Sequence, residues 1–412
     1  MERIILHSDL NNFYASVECM ENPQLKNKAV AVCGSPQNRH GVVLAKNIIA
    51  KSKGIKTGDT VNEAKQKCPN ILFVQPRFDK YIEISQKVRN IYYDYTNLIE
   101  PFGIDECWLD VTNSVPLFPS GIAIANEIKE RVKNEIGITV SIGVSFNKIF
   151  AKLGSDMKKP DAITVISKDD FKDKIWALPI NELLYAGRST TKTLGRLNIF
   201  TIEDMAKANP YIINQHLGKN GLMLQLYAQG KDTTPVNSIE YKREIKSIGN
   251  GTTMPFDVTN VDDVKIILTL LSESVSKRLI NKGLYCQTIS LGIKFNTLET
   301  IERQMPIQMP TNSAELIFKK ALEIYNNEKI TQPIRALSIR CSNVINKIII
   351  QESLLSQYKR FEKYTKLDDM REEIRQEYGW NGLQKAIMLV NKRLSNLNPT
   401  DDNTLQKIAF YK

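Results

Sequence analysis

Residues 101–110 read Pro101-Phe102-Gly103-Ile104-Asp105-Glu106-Cys107-Trp108-Leu109-Asp110 and set two adjacent carboxylates in a tight bend between short segments of strand character. Far upstream, the apolar run Ile4-Ile5-Leu6 leads to a third acid, Asp9. One acid after a first strand and an acid pair on a later hairpin can hold two magnesium ions, because oxygen ligands suit hard cations. Two metals stabilise the attacking and leaving oxygens of an in-line displacement at phosphorus. Taken alone, the acid pair is typical of a solvated turn; the other features favour a catalytic site.

A basic segment follows a later predicted strand and supplies cations for such a site. Asn147 is a residue type that caps helices, and Lys148 and Lys152 stand one turn apart on the predicted helix. Lys159 comes after it, in the bend before a proline. We expect these ammonium groups to neutralise a pyrophosphate leaving group or a template backbone. The alternative is a solvated basic helix without a ligand.

The composition describes a globular chain with a polyanionic partner. A length of 412 residues exceeds one ordinary core, so we expect several domains. The net charge of +11 favours nucleic acid, although a lysine-rich protein without such a partner is the alternative. No CxxC pair predicts a zinc site or a disulfide framework among the scattered cysteines, which are Cys19, Cys33, Cys68, Cys107, Cys286 and Cys341.

The sequence predicts neither a membrane span nor a secreted product. No apolar run is long enough to cross a bilayer. The N-terminal apolar run is too short for a signal peptide and ends in an acid. We therefore expect a cytoplasmic protein.

Strand and helix patterns alternate from the N-terminus to about residue 166, which predicts a mixed sheet backed by helices. The predicted helices include residues 79–95 and 122–136, the second with an apolar residue at every fourth position. The predicted strands are residues 4–8, 29–33, 42–44, 71–74, 107–111, 139–144 and 163–166.

The rest of the chain predicts three further regions. Residues 167–231 are helical and punctuated by glycines, and the polar, turn-rich run 232–238 is the best linker candidate. Residues 245–343 predict the order strand, helix, two strands, helix, strand. Beyond them the chain is charged, with predicted helices at 354–377 and 382–394. No repeat or low-complexity block is present.

The first strand places its acid next to a helix start. Ile5, His7 and Asp9 share one face of the predicted strand. Residues 10–13 then turn into a helix, and the unpaired backbone donors of a helix start suit a triphosphate. Tyr14, just inside that helix, could contact the sugar of a nucleotide; the alternative is an ordinary core aromatic.

Together these motifs resemble the palm of Y-family translesion DNA polymerases, most closely the DNA polymerase IV-like branch (DinB/UmuC). The resemblance rests on Asp9 with Phe13-Tyr14, on Ile104-Asp105-Glu106, and on the run Asn147-Lys148…Ala151-Lys152…Lys159-Pro160. It implies a mixed α+β, right-hand fold: a ferredoxin-like palm (1–10 and 75–166), small fingers (11–74), a helical thumb with helix-hairpin-helix turns (167–232), a linker (233–244), an α+β little finger (245–343) and a helical C-terminal tail (344–412).

The resemblance also implies roles for single residues. Asp9, Asp105 and Glu106 match the catalytic ligands of two Mg²⁺ ions, joined by the backbone of Leu10. The nucleotide-binding residues implied are Phe13, Tyr14 as the steric gate against a ribose 2′-hydroxyl, Lys51 and Lys159. The DNA-binding residues expected are Lys148, Lys152, Gly187 and Arg188.

One departure concerns the fingers, where relatives usually offer a tyrosine and an arginine to the triphosphate. Here Ile48 cannot donate a hydrogen bond, and Lys51 lacks the bidentate fork of arginine. Lys46 is a candidate for compensation. A second departure is Ala186 in the thumb turn, where glycine is commoner.

The function implied is template-directed addition of dNTPs to a primer 3′-end, with lesion bypass, low fidelity and no proofreading. The partners implied are primer-template DNA and dNTPs, and we expect a monomer. A sliding clamp stays open as a partner, because residues 351–358 are at best a degenerate clamp-binding peptide. The competing hypotheses are a nucleotidyl cyclase on a palm-like fold and a non-catalytic, DNA-binding polymerase relative.

Overall fold

The computed structural model describes residues 2–34, 41–241, 244–346, 356–379 and 382–397. The chain divides after Tyr241 into two compact units, each described here by itself. Within the described ranges, every helix is too short or too polar to span a bilayer.

The first unit alternates strands and helices as predicted, with the ends of the predicted strands shifted by at most two residues. Its strands are β1 (Ile5–Leu10), β2 (Val30–Cys33), β3 (Val43–Lys46), β4 (Leu72–Val74), β5 (Ile99–Pro101), β6 (Glu106–Asp110), β7 (Val140–Ser145) and β8 (Ile163–Ile166). Its helices are α1 (Phe13–Glu21), α2 (Ile48–Ser52), α3 (Val61–Lys67), α4 (Phe78–Tyr93), α5 (Gly121–Arg131), α6 (Lys148–Met157), α7 (Phe171–Ile175), α8 (Arg188–Arg196), α9 (Ile202–Lys207) and α10 (Pro210–Ala228).

β1 lies at the centre of a five-stranded sheet with the order β5-β6-β1-β7-β8. It pairs antiparallel with both β6 and β7. Leu6 and Leu10 face a core formed with α4 and α5. Ile5, His7 and Asp9 lie on the other face, as the two-residue period of a strand requires, and there α6 covers the sheet. The first strand therefore directs Asp9 toward α6.

Gly143 in β7 allows α6 to approach the sheet closely. It pairs with His7 across the sheet, and a Cβ at this position would overlap the backbone carbonyl of Ala151 in α6. The His7 ring also lies within hydrogen-bond distance of α6, with 2.8 Å between Nδ1 and Ser155 Oγ. The close contact brings the charged residues of α6 within reach of the acids on the strands.

Two smaller modules complete the first unit. A three-stranded sheet in the order β3-β2-β4 packs with α2 and α3 around its own apolar core. Helices α7 to α10 form a separate helical core. The last of them is broken at Gly218, whose φ of 59° lies in the left-handed region that favours glycine. These modules lie where the sequence predicts fingers and thumb.

The predicted linker is not a free tether over its first half. Val236 is buried against Ile5, Trp108 and Ala151 of the central sheet and α6. Further along, the backbone N–H of Ile239 donates to the carbonyl of Asn97 at 3.1 Å. Apolar burial and backbone pairing together fix this part of the chain to the first unit.

The second unit has the predicted order of strands and helices. Its elements are β9 (Ser247–Val258), α11 (Val261–Asn281), β10 (Cys286–Phe295), β11 (Thr300–Thr311), α12 (Ala314–Asn327), β12 (Ile334–Ser342), α13 (Ser356–Tyr378) and α14 (Lys392–Ser395). The four strands form an antiparallel sheet in the order β11-β10-β12-β9. α11 and α12 share one core with it.

The segment after β12 packs onto this unit, which the sequence did not predict. Met388 and Leu394 belong to the core beneath α11. The continuous helix predicted over 382–394 is wrong, because the chain forms a 3₁₀ turn at Ala386–Leu389 and then the short α14. The degenerate clamp-binding peptide at 351–358 lies outside the described residues in its first five positions, and the side chains of the other three are not described.

Candidate active site

Asp9 and Glu106 stand opposite each other on neighbouring strands of the central sheet. They are register partners in the antiparallel β1–β6 pair. The sequence predicted Asp9 just after the strand, but β1 continues through it to Leu10. The extension follows from pairing on both sides, since Leu10 is also paired with Val140 in β7. Asp9 is thus held by backbone hydrogen bonds rather than by a loop.

Asp105 lies at the turn that enters β6. Its backbone carbonyl accepts a hydrogen bond from the N–H of Leu10 at 2.9 Å, which ties the turn to the end of β1. Gly103 leaves room for its carboxylate, because a Cβ there would lie 3.1 Å from Asp105 Oδ1. The side chain of Ser85 in α4 donates to the carbonyl of Ile104. The turn is therefore fixed from both sides.

Two ammonium groups lie among these carboxylates. Lys152 Nζ is 3.2 Å from Asp9 Oδ2 and 3.0 Å from Glu106 Oε1. Lys159 Nζ is 2.8 Å from the same oxygen of Asp9. One ammonium contacts both carboxylates. Asp9 Oδ2 and Glu106 Oε1 are therefore no further apart than the sum of their distances from Lys152 Nζ. Asp9 and Glu106, two of the three acids that the sequence singled out, thus converge on one place.

Burial and mutual repulsion make the carboxyl groups of Asp105 and Glu106 harder to ionise. Burial, followed by the charge of Asp9, raises the pKa of Asp105 to about 6. Burial raises the pKa of Glu106 to about 7 against the opposing effect of Lys152. For Lys152 and Lys159, burial lowers the pKa, but the neighbouring carboxylates outweigh it and the net shift is upward. Carboxylates that repel each other and are stabilised by neighbouring cations are typical of a cation site.

The carboxylates fit the hard divalent cations that the sequence predicts. Their oxygens already surround positive charge, and carboxylate oxygen is the donor that Mg²⁺ prefers. Among the described residues, no three or more acidic, histidine or cysteine side chains form a group that could hold a metal ion as they are placed here. In this structure, the cations that contact Asp9 and Glu106 are the ammonium groups of Lys152 and Lys159.

Tyr14 lies beside the acids, at the start of α1. Its ring stacks on Tyr81 with centroids 4.4 Å apart. Burial, followed by the charge of Asp105, raises the pKa of Tyr14 to about 12. Phe13 is buried in the core beneath it. Asn12 precedes the helix with a left-handed φ of 49° and provides no side-chain cap, so the first backbone donors of α1 are available to an anion.

The ammonium of Lys148, for which the sequence predicts a DNA contact, is turned into the protein. Its ammonium is buried and lies 2.7 Å from Glu100 Oε2. It also stands over the ring of Trp108, 4.5 Å from the centroid. An ammonium already paired in the interior is not available to a phosphate on the surface.

Lys152 likewise faces the acids, with 12% side-chain exposure, instead of facing solvent. The predicted helix face was right, but that face is turned toward the sheet.

The thumb residues are placed differently: Gly187 precedes α8, and it and Arg188 are exposed. Their position is compatible with a DNA contact.

The lysines of the fingers lie at the surface. Lys51 is exposed, and Ile48 beside it presents its apolar side chain to solvent. Lys46 donates to Thr57 Oγ1 at 2.8 Å. Burial, followed by the charge of Lys51, lowers the pKa of Lys46.

Three residues near the site were not singled out by the sequence. Asp156 pairs with both Lys152 and Lys159, and its place four residues after Lys152 was a readable signal. Ser85 and Arg89 are buried under the acid turn, with Arg89 Nη2 donating to Ser85 Oγ at 2.8 Å. For Ser85 and Arg89, the signal in the sequence was the presence of two polar residues within the apolar stripe of α4.

Comparison with known proteins gives consistent matches. The model of the impB/mucB/samB family matches residues 8–156, and that of the C-terminal domain of the same family matches residues 245–354. The chain is 47% identical to the DNA polymerase IV of Acetivibrio thermocellus, over 96% of this chain and 100% of that protein. It is 36% identical to DNA polymerase IV 1 of Halalkalibacterium halodurans, over 97% of this chain and 95% of that protein.

A solved structure extends the comparison to the fold. The Y-family DNA polymerase chimera Dbh-Dpo4(243-245)-Dbh superposes with a TM-score of 0.73 at 27% identity, over 84% of this chain and 100% of that one.

Proposed function

The chain belongs to the impB/mucB/samB family of Y-family DNA polymerases, and from this membership we propose how its residues carry out templated DNA synthesis of the translesion type. The observation that carries the proposal is the pairing of Asp9 and Glu106, from adjacent strands, with one ammonium group. Asp105 is tied by its backbone to the residue after Asp9. Two carboxylates on a rigid sheet and a third on the adjoining turn suit phosphoryl transfer, in which positioning and electrostatics supply most of the catalysis.

In this proposal Asp9, Asp105 and Glu106 would hold two Mg²⁺ ions, with the carbonyl of Leu10 as a further oxygen ligand. The bound ions supply activation of the primer 3′-hydroxyl and charge neutralisation on the departing pyrophosphate. The protein contributes the fixed spacing of the carboxylates, because β1 and β6 are paired in register at this point.

The nucleotide lies between the acids and the start of α1. The unpaired backbone donors at Phe13 and Tyr14 bind triphosphate oxygens, and the ammonium of Lys159 neutralises the leaving pyrophosphate. The stacked Tyr14 ring closes the space that a 2′-hydroxyl would need. Lys46 and Lys51 give the fingers two point charges for the same triphosphate, in place of a bidentate arginine.

Primer-template DNA is the second substrate. The exposed turn at Gly187 and Arg188 contacts a duplex backbone in this proposal, and the overall charge of +11 favours that contact. We further propose a monomer acting in the cytoplasm. Of the competing hypotheses, a cyclase is not favoured, since the matches span the fingers, palm and C-terminal domain of DNA polymerases.

The direct test is extension of a primed template in the presence of Mg²⁺, with and without an abasic site opposite the incoming nucleotide. We expect extension on both templates and no product from nucleoside triphosphates alone. A cyclic nucleotide made without DNA would identify a cyclase. DNA binding without extension would identify a non-catalytic relative.

A further inference from the structure

Lys152 contacts carboxylates on two strands and on its own helix. Its Nζ lies 3.2 Å from Asp9 Oδ2, 3.0 Å from Glu106 Oε1 and 3.1 Å from Asp156 Oδ2. Asp156 is one turn further along α6 and has a side chain 38% exposed, whereas the other two acids are more buried. The ammonium therefore lies between the two more buried acids, Asp9 and Glu106, and the more exposed Asp156.

An ammonium and divalent cations cannot share the inner position without a cost. Two like charges in close contact repel each other even at the effective dielectric of a protein surface. Without a cation, however, Asp9 and Glu106 would face each other across the strand pair uncompensated. The ammonium is thus favourable in the metal-free protein and unfavourable once metal is bound.

We propose that Lys152 is a positioning residue that holds the metal-ligand carboxylates together before metal binds and withdraws onto Asp156 when the cations enter. The proposal rests on the metal assignment of Asp9, Asp105 and Glu106 made above. Withdrawal needs no movement of α6, because Lys152 and Asp156 are four residues apart on the helix and already in contact.

Lys159 has a different part. It contacts Asp9 and Asp156 at 2.8 and 2.9 Å, whereas Lys152 joins Asp9 to Glu106. It lies beyond the end of α6, and its side chain is more exposed than that of Lys152. Lys159 is therefore the cation placed to meet the triphosphate, and Lys152 is the one that competes with metal.

The proposal predicts opposite effects of two substitutions on metal affinity. We expect Lys152→Gln to raise the affinity for Mn²⁺ about tenfold, because the competing charge is gone. Asp156→Asn should lower it severalfold, because Lys152 loses the partner onto which it withdraws. Lys152→Arg keeps the competing charge and should return the affinity toward that of the unsubstituted chain.

The measurement is titration of the full chain with Mn²⁺, without DNA or nucleotide, followed by the electron paramagnetic resonance signal of free Mn²⁺. Lys158→Gln is the matched control, since it removes the same charge from an exposed lysine in the same segment. We expect its affinity to stay within about twofold of the unsubstituted value.

A double variant separates withdrawal from a general charge effect. In the Lys152→Gln background, Asp156→Asn should change the affinity little, since no ammonium remains to be received. An equal loss in both backgrounds would show that Asp156 acts only as a distant negative charge and would overturn the proposal. Unchanged or weaker binding by Lys152→Gln would overturn it as well.

Asp105→Asn distinguishes this proposal from the metal assignment itself. If Asp105→Asn weakens Mn²⁺ binding but Lys152→Gln does not strengthen it, only the role of Lys152 fails. If Asp105→Asn leaves binding unchanged, the metal assignment fails and the role of Lys152 with it.

Discussion

Asp9 and Glu106 face each other directly across the antiparallel pair of β1 and β6. The relationship matters because β1 is paired on its other side as well, with Ser141 of β7 opposite Asp9. A carboxylate on a central strand has little freedom to move, so its distance to the opposite acid is set by the sheet. Such rigidity suits a reaction in which a small misplacement costs a large factor in rate.

The first prediction concerns the acids of the turn. We expect Asp105→Asn or Glu106→Gln to slow primer extension by about 10³-fold or more, because several kcal/mol of charge stabilisation is lost. Affinity for primer-template DNA, measured by fluorescence anisotropy, should stay close to the unsubstituted value. Glu83→Gln on the exposed surface of α4 is the control and should extend primers normally. Extension at the normal rate by either turn variant would remove that acid from the site.

The second prediction concerns the sugar of the incoming nucleotide. Tyr14 is held by stacking on Tyr81, whose hydroxyl donates to the buried Glu18 at 2.7 Å. We expect Tyr14→Ala to reduce discrimination against ribonucleotides by about 10²-fold, since the contact that excludes a hydroxyl is removed. The ratio of kcat/KM for dNTP and NTP measures it. Tyr93→Ala, at an exposed position of α4, should leave the ratio unchanged. If Tyr14→Ala does the same, the ring is only a core residue.

The third prediction is a pH dependence of metal binding. Asp105 and Glu106 have pKa values raised to about 6 and about 7 in the metal-free protein. Below these values the acids keep protons that metal must displace, so affinity should fall as the pH falls through this window. Calorimetry in buffers of different ionisation enthalpy should detect protons released at about pH 6 and few at about pH 8.5.

A proton release that is the same at both pH values would contradict the shifts. Asp105→Asn serves as the internal comparison, because it removes one of the two titrating groups and should reduce the release at the lower pH. A release unaffected by this substitution would assign the protons to other groups.

The position of the acids was readable from the sequence because it depends on local rules. The two-residue period of a strand put His7 and Asp9 on one face. The predicted bend holds Asp105, whereas Glu106 is already the first residue of β6. The burial of Lys148 was not readable, because its partner Glu100 lies on a strand far away in the chain. Spacing along a helix identifies a face but not what that face meets.

The C-terminal segment shows the same limit. Charge and low hydrophobicity suggested a tail, yet Arg371 and Arg375 both pair with Glu273, which is buried in α11. A charged helix can be an interior element when its partner is a buried acid from another helix, and one sequence carries no sign of that pairing. The packing of the linker was not readable for the same reason, since its few apolar residues find their partners only in the folded sheet.

The fourth prediction uses the buried pair beneath the linker. Glu100 Oε2 accepts from Lys148 Nζ at 2.7 Å and from the backbone N–H of Asn237 at 3.0 Å. We expect Glu100→Ala to lower the free energy of unfolding by about 3–5 kcal/mol, because a buried ammonium loses its partner. Replacing both residues, as Glu100→Leu with Lys148→Met, should recover part of the loss. Denaturant titration measures the change, with the exposed Glu130→Ala as control.

This prediction also separates a structural Lys148 from a DNA-binding one. Lys148→Met should weaken folding but leave the salt dependence of DNA affinity unchanged in the fraction that folds. A decrease in the slope of affinity against salt concentration by about one unit would mean that Lys148 neutralises a phosphate after all.

The last prediction concerns α13 and the second unit. Arg375 Nη2 lies 3.1 Å from Glu273 Oε2 and 2.9 Å from the carbonyl of Leu383, so one guanidinium joins the helix to α11 and to the segment that follows it. Asp368 of the same helix accepts from Ser313 Oγ at 2.6 Å and caps the start of α12. The segment is therefore attached at both helices of the unit.

We expect Arg375→Ala to reduce the stability of the second unit by about 3–5 kcal/mol, since Glu273 would stay buried with one partner fewer. Amide hydrogen exchange of α11 in the full chain measures this, because exchange from a buried helix reports opening of the unit that contains it. Arg303→Ala, which breaks an exposed ion pair with Glu328, should change exchange by less than about 1 kcal/mol. Equal effects of the two substitutions would show that α13 only packs on the surface of the second unit. Faster exchange confined to Arg375→Ala would make α13 part of the core of that unit.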